Sequence, residues 1–201
     1  MREEERRREE ERRRAAVEAA YRAHVDDVYR VVYAILRDPE AASDATHESF
    51  ARAFVAWDRY DAARPLRPWL LRIATRVAFD ALRKRKVRAI AAVRLDDPDR
   101  EGGGPWLDAG AVDPASIVAR RELVEACLDS LRPQARAALV LRHVYGYDYE
   151  AIGAAIGTSA GNVGSILTRS HAALRARLEA DESERHDVIA ATEPIDRVDV
   201  R

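Results

Sequence analysis

Between Tyr149 and Leu178 the apolar residues keep a helical period that breaks once, at Gly157, and this break limits what the segment can become. Tyr149, Ile152 and Ile156 recur at i, i+3 and i+7, which predicts a short helix with one apolar face. Gly157 stands where a chain reversal needs positive φ, and Thr158 and Ser159 supply hydroxyls able to cap a following helix. Val163, Leu167, Ser170, Leu174 and Leu178 then resume the period, leaving Asn162, Ser165, Thr168 and Arg169 on other faces. This is a helix-turn-helix pattern, whose second helix can enter the major groove of duplex DNA. Two packed core helices joined by a glycine turn would fit the same residues, so the neighbouring segments have to decide.

Those segments are strongly asymmetric in charge, although the 201-residue chain has a formal net charge of only −1. From Arg64 to Arg88 nine basic residues face the single acid Asp80, whereas from Asp181 onward seven acids outnumber Arg185, Arg197 and Arg201. The basic stretch calls for a polyanionic partner. Within it Leu70, Ile73, Ala74, Val77 and Ala81 gather on one side of a helix, and Trp69, Arg72, Arg76 and Arg83 line up on another, predicted to face away from the core. An indole among guanidinium groups offers single-stranded nucleic acid a stacking surface and counter-charge; a solvated arginine face beside a snorkelling tryptophan is the plainer alternative.

The rest of the chain reads as helix throughout. Met1 to Arg14 is almost wholly Glu and Arg at helical ion-pair spacing without a core face, predicting a solvated extension or a frayed tail. A stripe from Val17 through Tyr21, Val25, Val28 and Val32 to Ile35 predicts a core helix over 15–36, ended by Asp38-Pro39. Phe50, Ala53, Phe54 and Trp57 predict a second helix with Asp44, His47 and Glu48 on its outer face. The two prolines between Asp58 and Pro68 mark a loop. Gly102-Gly103-Gly104-Pro105 sits in a stretch, 89–113, that reads as a flexible linker, where Trp106 and Leu107 are candidates for docking but fit an incidental contact better. Pro114 opens a helix through Ser130. The next, from Pro133 to Val144, is apolar all round at Ala137–Leu141, as a central buried helix should be. After Leu178 the periodicity fades, and residues 179–201 read as a disordered or weakly ordered acidic tail. The expected fold is all-α: two small helical domains, 15–88 and 114–178, the second containing the helix-turn-helix.

Other chemistry finds little support. Cys127 lies among apolar residues as a small hydrophobe, the five histidines lack ligand spacing, and no nucleophile elbow, paired-acid site or phosphate-binding glycine loop occurs. No metal, cofactor or catalytic activity is expected. No apolar run spans a bilayer and no hydrophobic leader is seen, so a cytoplasmic protein is expected.

The chain from Val17 to Leu178 resembles the small two-domain, extracytoplasmic-function sigma factors of bacterial RNA polymerase. The resemblance is carried by Asp44-Ala45-Thr46-His47-Glu48-Ser49-Phe50, Trp69-Leu70-Leu71-Arg72-Ile73-Ala74 and Asp80-Ala81-Leu82-Arg83 in the first half. In the second it is carried by Leu131-Arg132-Pro133-Gln134-Ala135-Arg136, Tyr149-Glu150-Ala151-Ile152-Gly153 and Gly161-Asn162-Val163-Gly164-Ser165-Ile166-Leu167. It implies that Asp44, His47 and Glu48 meet core polymerase. It also implies that Asp58, Arg59, Tyr60, Trp69, Arg72, Arg76 and Arg83 hold the opened −10 element. Ser159, Asn162, Ser165, Thr168 and Arg169 would meet the −35 duplex, and an anti-sigma partner would be able to occlude both halves. The chain departs from the family pattern at Ala45, Thr46 and His47, at Arg76, and at Gly164 and Ile166, where Lys and Arg are common. Two lost phosphate contacts lower the salt slope by about 2, and Gly164 costs its helix about 1 kcal/mol relative to Ala, so weak −35 binding is expected. A polymerase-independent helix-turn-helix regulator, or a sigma-like interaction protein with weakened promoter recognition, remain the alternatives.

Overall fold

The computed structural model describes residues 2–91 and 123–192, all of whose regular structure is helical. Of the expected linker over 89–113, residues 89–91 are corrected to helix, the end of a helix that begins at Leu66, because Ala89, Ile90 and Ala91 carry no breaker. Residues 92–113, with Trp106 and Leu107, and the start of the following helix at Pro114 lie outside the described residues.

Helix α1 (Arg2–Leu36) is one continuous rod that includes the charged extension. Glu3, Glu4 and Glu5 in its first turn complement the helix dipole, and the pairs Arg8–Glu4 and Arg14–Glu10, at 2.9 and 2.6 Å, bind successive turns. It stops where the sequence predicts. Arg37 turns left-handed at φ 56, and Asp38 caps α2 (Pro39–Val55) by accepting from the Ala41 amide at 3.1 Å. A one-turn 3-10 helix, Trp57–Arg59, leads through a loop to α3 (Leu66–Ala91).

These three helices close on one another through small residues. Ala42, Ala45 and Ala53 of α2 and Ala74 and Ala78 of α3 are buried, allowing close backbone approach to Val28, Val31, Val32 and Ile35 of α1. Leu70 and Leu71 fill the remaining space, each worth about 2 kcal/mol of apolar burial.

The second half comprises α4 (residues 123–129), α5 (Pro133–His143), α6 (Tyr149–Ile156) and α7 (Ala160–Thr192). Ala137 to Leu141 of α5 are all buried, and the reason is broader than its own half supplies. One side of α5 packs on α6 and α7 and the other on α1, so a single core runs through both halves. A helix apolar all round needs cover on every side. The two halves are therefore in direct contact. The expected end at Leu178 is also corrected: α7 continues to Thr192, since the residues after Leu178 contain no Gly or Pro before Pro194 and helix formers need no apolar face to continue.

Candidate nucleic-acid interface

Around the loop between α2 and α3 three aromatic rings gather. Trp57, Tyr60 and Trp69 have centroids 5.0–5.9 Å apart, with Trp57 edge-on to Trp69, and the Tyr60 hydroxyl donates to the Arg64 carbonyl at 2.6 Å. Trp69 is thus half-buried, a correction to its expected outward aim: the helical wheel sets its azimuth, but the returning loop lays Trp57 and Tyr60 against it. Arg59, Arg72 and Arg76 are exposed, Arg72 and Arg76 lying one and two turns beyond Trp69 on the same face of α3. Arg83 is exposed as well but pairs with Asp80. Asp58 is engaged by Arg13 of α1, whose Nη2 lies 2.6 Å from both carboxylate oxygens.

Asp80 is held in turn. Arg52 donates to it at 2.9 Å and to Glu48 at 2.8 Å, and the Arg52 hydrogen bond keeps the Asp80 carboxyl below the usual carboxylate range. Asp44, His47 and Glu48 all lie exposed on the outer face of α2, along a groove of about 740 Å³ that continues onto Lys84, Arg85 and Arg88 of α3. Ala45 and Thr46, beside them in sequence, are buried; the Thr46 hydroxyl donates to the Ala42 carbonyl at 2.7 Å. Their departure from the family pattern is a matter of core packing, and of this trio only His47 changes the outer surface.

In the second half the helix-turn-helix is built as the sequence predicts. Asp148 caps α6 by accepting from the Ala151 amide at 2.7 Å, and Gly157 ends it left-handed at φ 76. Gly153 is the glycine that sequence reasoning missed. A Cβ there would sit 2.6 Å from the Thr158 carbonyl oxygen, so the turn folds back onto bare backbone. Ser159 accepts from the Asn162 amide at 3.3 Å at the start of α7.

Ser159, Asn162, Ser165, Thr168 and Arg169 are all exposed, with Asn162, Ser165 and Arg169 in one stripe along α7. Their polar ends are occupied locally: Asn162 donates to Thr158 Oγ1 at 2.8 Å, and Arg169 Nε to the Ser165 carbonyl at 3.1 Å. Ile166 is buried, so the expected loss of a surface contact at that position is corrected: its side chain belongs to the interior. Gly164 lies under the Tyr149 ring, 3.4 Å from where a Cβ would be.

The contact between halves brings α6 onto the basic side of α3. Arg76, Phe79, Arg83 and Lys86 share a cleft of about 680 Å³ with Arg132 and Ile156. Another non-local juxtaposition is His143 of α5 with His171 of α7, Nε2 to Nε2 2.9 Å, which spacing along the chain did not signal. Among the described residues no cluster of three or more His, Cys, Asp or Glu is arranged to hold a metal ion, and no helix is long and apolar enough to cross a membrane.

An all-helical chain with an exposed basic, aromatic-flanked face in one half and a helix-turn-helix in the other has the build of a two-part DNA-binding factor. Comparison with known proteins makes the class specific. Residues 20–88 match the Sigma-70 region 2 family and residues 121–174 the Sigma-70 region 4 family. SigC of Mycobacterium tuberculosis, an ECF RNA polymerase sigma factor, is 33% identical over 172 residues, covering 83% of this chain and 85% of SigC. SigE of Mycolicibacterium smegmatis is 35% identical over 166 residues, 81% of this chain but 62% of SigE. SigG of Mycobacterium tuberculosis is matched over 47% of its length, so the chain spans about half to two thirds of these latter two relatives. In fold it is similar to the sigma factor RpoE from Bartonella quintana, solved with the anti-sigma factor NepR: TM-score 0.66, 18% identity, covering 82% of this chain and 97% of that one. The chain belongs to the extracytoplasmic-function sigma factor family.

Proposed function

We propose that the chain binds core RNA polymerase and directs promoter recognition and melting, as a binding factor that makes and breaks no covalent bond. The observation that carries this reading is the exposed run of Arg72 and Arg76 on the face of α3 that begins at Trp69 of the Trp57–Tyr60–Trp69 cluster, in the half that matches region 2. Guanidinium groups neutralise phosphates, and an aromatic edge accepts a base freed from the duplex. Arg59, Tyr60, Trp69, Arg72, Arg76 and Arg83 are assigned to the opened −10 strand, with Asp58 beside them. Ser159, Asn162, Ser165, Thr168 and Arg169 are assigned to the −35 duplex, with Asn162 suited to adenine. Asp44, His47 and Glu48 are assigned to the polymerase.

The domain assignment follows the same division, with 15–88 and 114–178 as the working units. Contact between the two halves supports a further partner of anti-sigma type, since one ligand spanning both halves would favour the closed arrangement.

The test is run-off transcription with sigma-free core polymerase on a library of genomic fragments. Promoter-specific transcripts are expected. Polymerase binding without transcripts would favour an interaction protein, and duplex binding without polymerase binding would favour an independent regulator.

A further inference from the structure

We propose that Arg13, in the charged extension of α1, is a positioning residue for the promoter-reading loop and acts through Asp58. The proposal rests on the assignment of that loop to the −10 strand. Among the described extension arginines, Arg7, Arg8 and Arg14 are 66–76% exposed and pair with glutamates four residues away on their own helix. Arg13 differs in both respects. Its side chain is 25% exposed, its guanidinium lies 5.6 Å from the Phe54 ring centroid, and its ion-pair partner is 45 residues away, on the 3-10 turn.

That turn has little holding it by itself. It is three residues long, has no side-chain cap, and rests on the hydrogen bonds Arg59 N to Ala56 O at 2.9 Å and Tyr60 N to Trp57 O at 3.0 Å. Single 3-10 turns are weak. Asp58 lies between Trp57 and Tyr60, two members of the aromatic cluster, so fixing its carboxylate fixes the rings on both sides of it. The Phe54 face beside the Arg13 guanidinium limits the freedom of that side chain, so less entropy is lost in pairing. The charged extension therefore has a task beyond its own solvation: it holds the loop in one arrangement before DNA arrives, and a preorganised site binds more tightly than one that must be ordered on contact. In this arrangement Asp58 presents its charge to Arg13 and acts on DNA indirectly.

The test uses the full chain with core polymerase and Arg13→Ala, Asp58→Ala, the double alanine variant, and the reversed pair Arg13→Asp with Asp58→Arg. Amide hydrogen exchange across 57–64 reads the tether without DNA. Binding of a fluorescein-labelled single strand, carrying the non-template sequence of a promoter recovered in the run-off selection, reads its consequence. Either single alanine variant should speed exchange at 59, 60 and 64 and weaken strand binding about threefold to tenfold, with the double variant no worse than either. The reversed pair should regain most of the loss while binding of the −35 duplex stays unchanged. Unchanged exchange in Arg13→Ala overturns the tether. A larger loss in Asp58→Ala than in Arg13→Ala, without recovery in the reversed pair, overturns the indirect role by making Asp58 a direct reader. If the wild-type holoenzyme opens no promoter, the −10 assignment fails by itself, and the exchange measurement still decides whether Arg13 holds the loop.

Discussion

Arg136 of α5 donates from Nη2 to the carbonyl oxygen of Ile35, in the last turn of α1, at 2.8 Å. The last carbonyls of a helix have no partner within it, and here one is satisfied by a guanidinium from the other half of the molecule. The same side chain donates from Nη1 to the Leu131 carbonyl at 2.8 Å. Burial and the nearby charge of Arg37 pull the Arg136 guanidinium below its ordinary range. Arg37 goes the other way: burial opposes its charge, but the hydrogen bonds it donates to Asp129 and Glu125 outweigh that and raise it. Replacing Arg136 with Met keeps the bulk and strands two buried carbonyls. A loss of about 2–3 kcal/mol in urea denaturation is expected, with the contact between α1 and α5 loosened. A shift below about 0.5 kcal/mol would mean that the contact between halves contributes little to stability.

Tyr145 and Tyr147 flank Gly146 at the same seam and make opposite predictions. The Tyr145 hydroxyl donates to the Asp27 carbonyl at 3.1 Å, whereas the buried Tyr147 hydroxyl has no hydrogen-bond partner among the described residues. Burial raises the Tyr145 phenol and pushes the Tyr147 phenol up to about 12. Tyr145→Phe should cost about 1 kcal/mol, while Tyr147→Phe should be neutral or slightly stabilising, because it removes a desolvated group that gains nothing. Parallel thermal melts of the two variants decide the point.

What was legible in the sequence was local. The end of α1 before Asp38-Pro39, the left-handed Gly157 and the polar stripe on α7 follow from chemistry within a few residues, and all appear where expected. Arg13 with Asp58, Arg136 with Ile35 and His143 with His171 are separated by 45, 101 and 28 residues, and no periodicity encodes such pairs. Ile166 and Trp69 illustrate a second limit. A helical wheel gives the direction of a side chain but not what folds over it, so a position expected at the surface is buried and an indole expected in solvent is half-covered by its own loop. The all-round apolarity of α5 was visible as a signal of burial, yet its cause, the cover supplied by α1, belongs to the other half of the chain.

The two glycines of the turn should fail differently. Gly157→Ala keeps open space around the new methyl group and meets the cost of the left-handed backbone, about 1 kcal/mol. Gly153→Ala places its Cβ 2.6 Å from the Thr158 carbonyl oxygen, a backbone atom that cannot swing aside. It should cost more, about 2–3 kcal/mol, and reorient α7 against α6. Duplex binding should drop with Gly153→Ala by more than stability alone accounts for, and equal effects of the two substitutions on both measurements would rule out the close approach as the constraint.

The His143–His171 pair sets a pH dependence within the helix-turn-helix half. His143 is exposed, yet its partial desolvation first, then the neighbouring His171 and Arg142, lowers its pKa below the ordinary 6.5. The unfolded chain therefore binds more protons than the folded one as pH falls through that value, and stability rises with pH across the window between the folded and unfolded pKa. The contribution is fully present above about pH 6.5 and is lost as acid drives a proton onto His143 in the folded state. The His143 Nε2 lies 2.9 Å from His171 Nε2, close enough for one hydrogen bond between the rings. His143→Gln should flatten the fall in the urea midpoint between about pH 7.5 and pH 5.5, while leaving the midpoint at the upper end close to that of the parent chain. An unchanged slope in His143→Gln would assign the acid sensitivity to other groups, and a slope of opposite sign in the parent would mean that His143 is stabilised in its charged form.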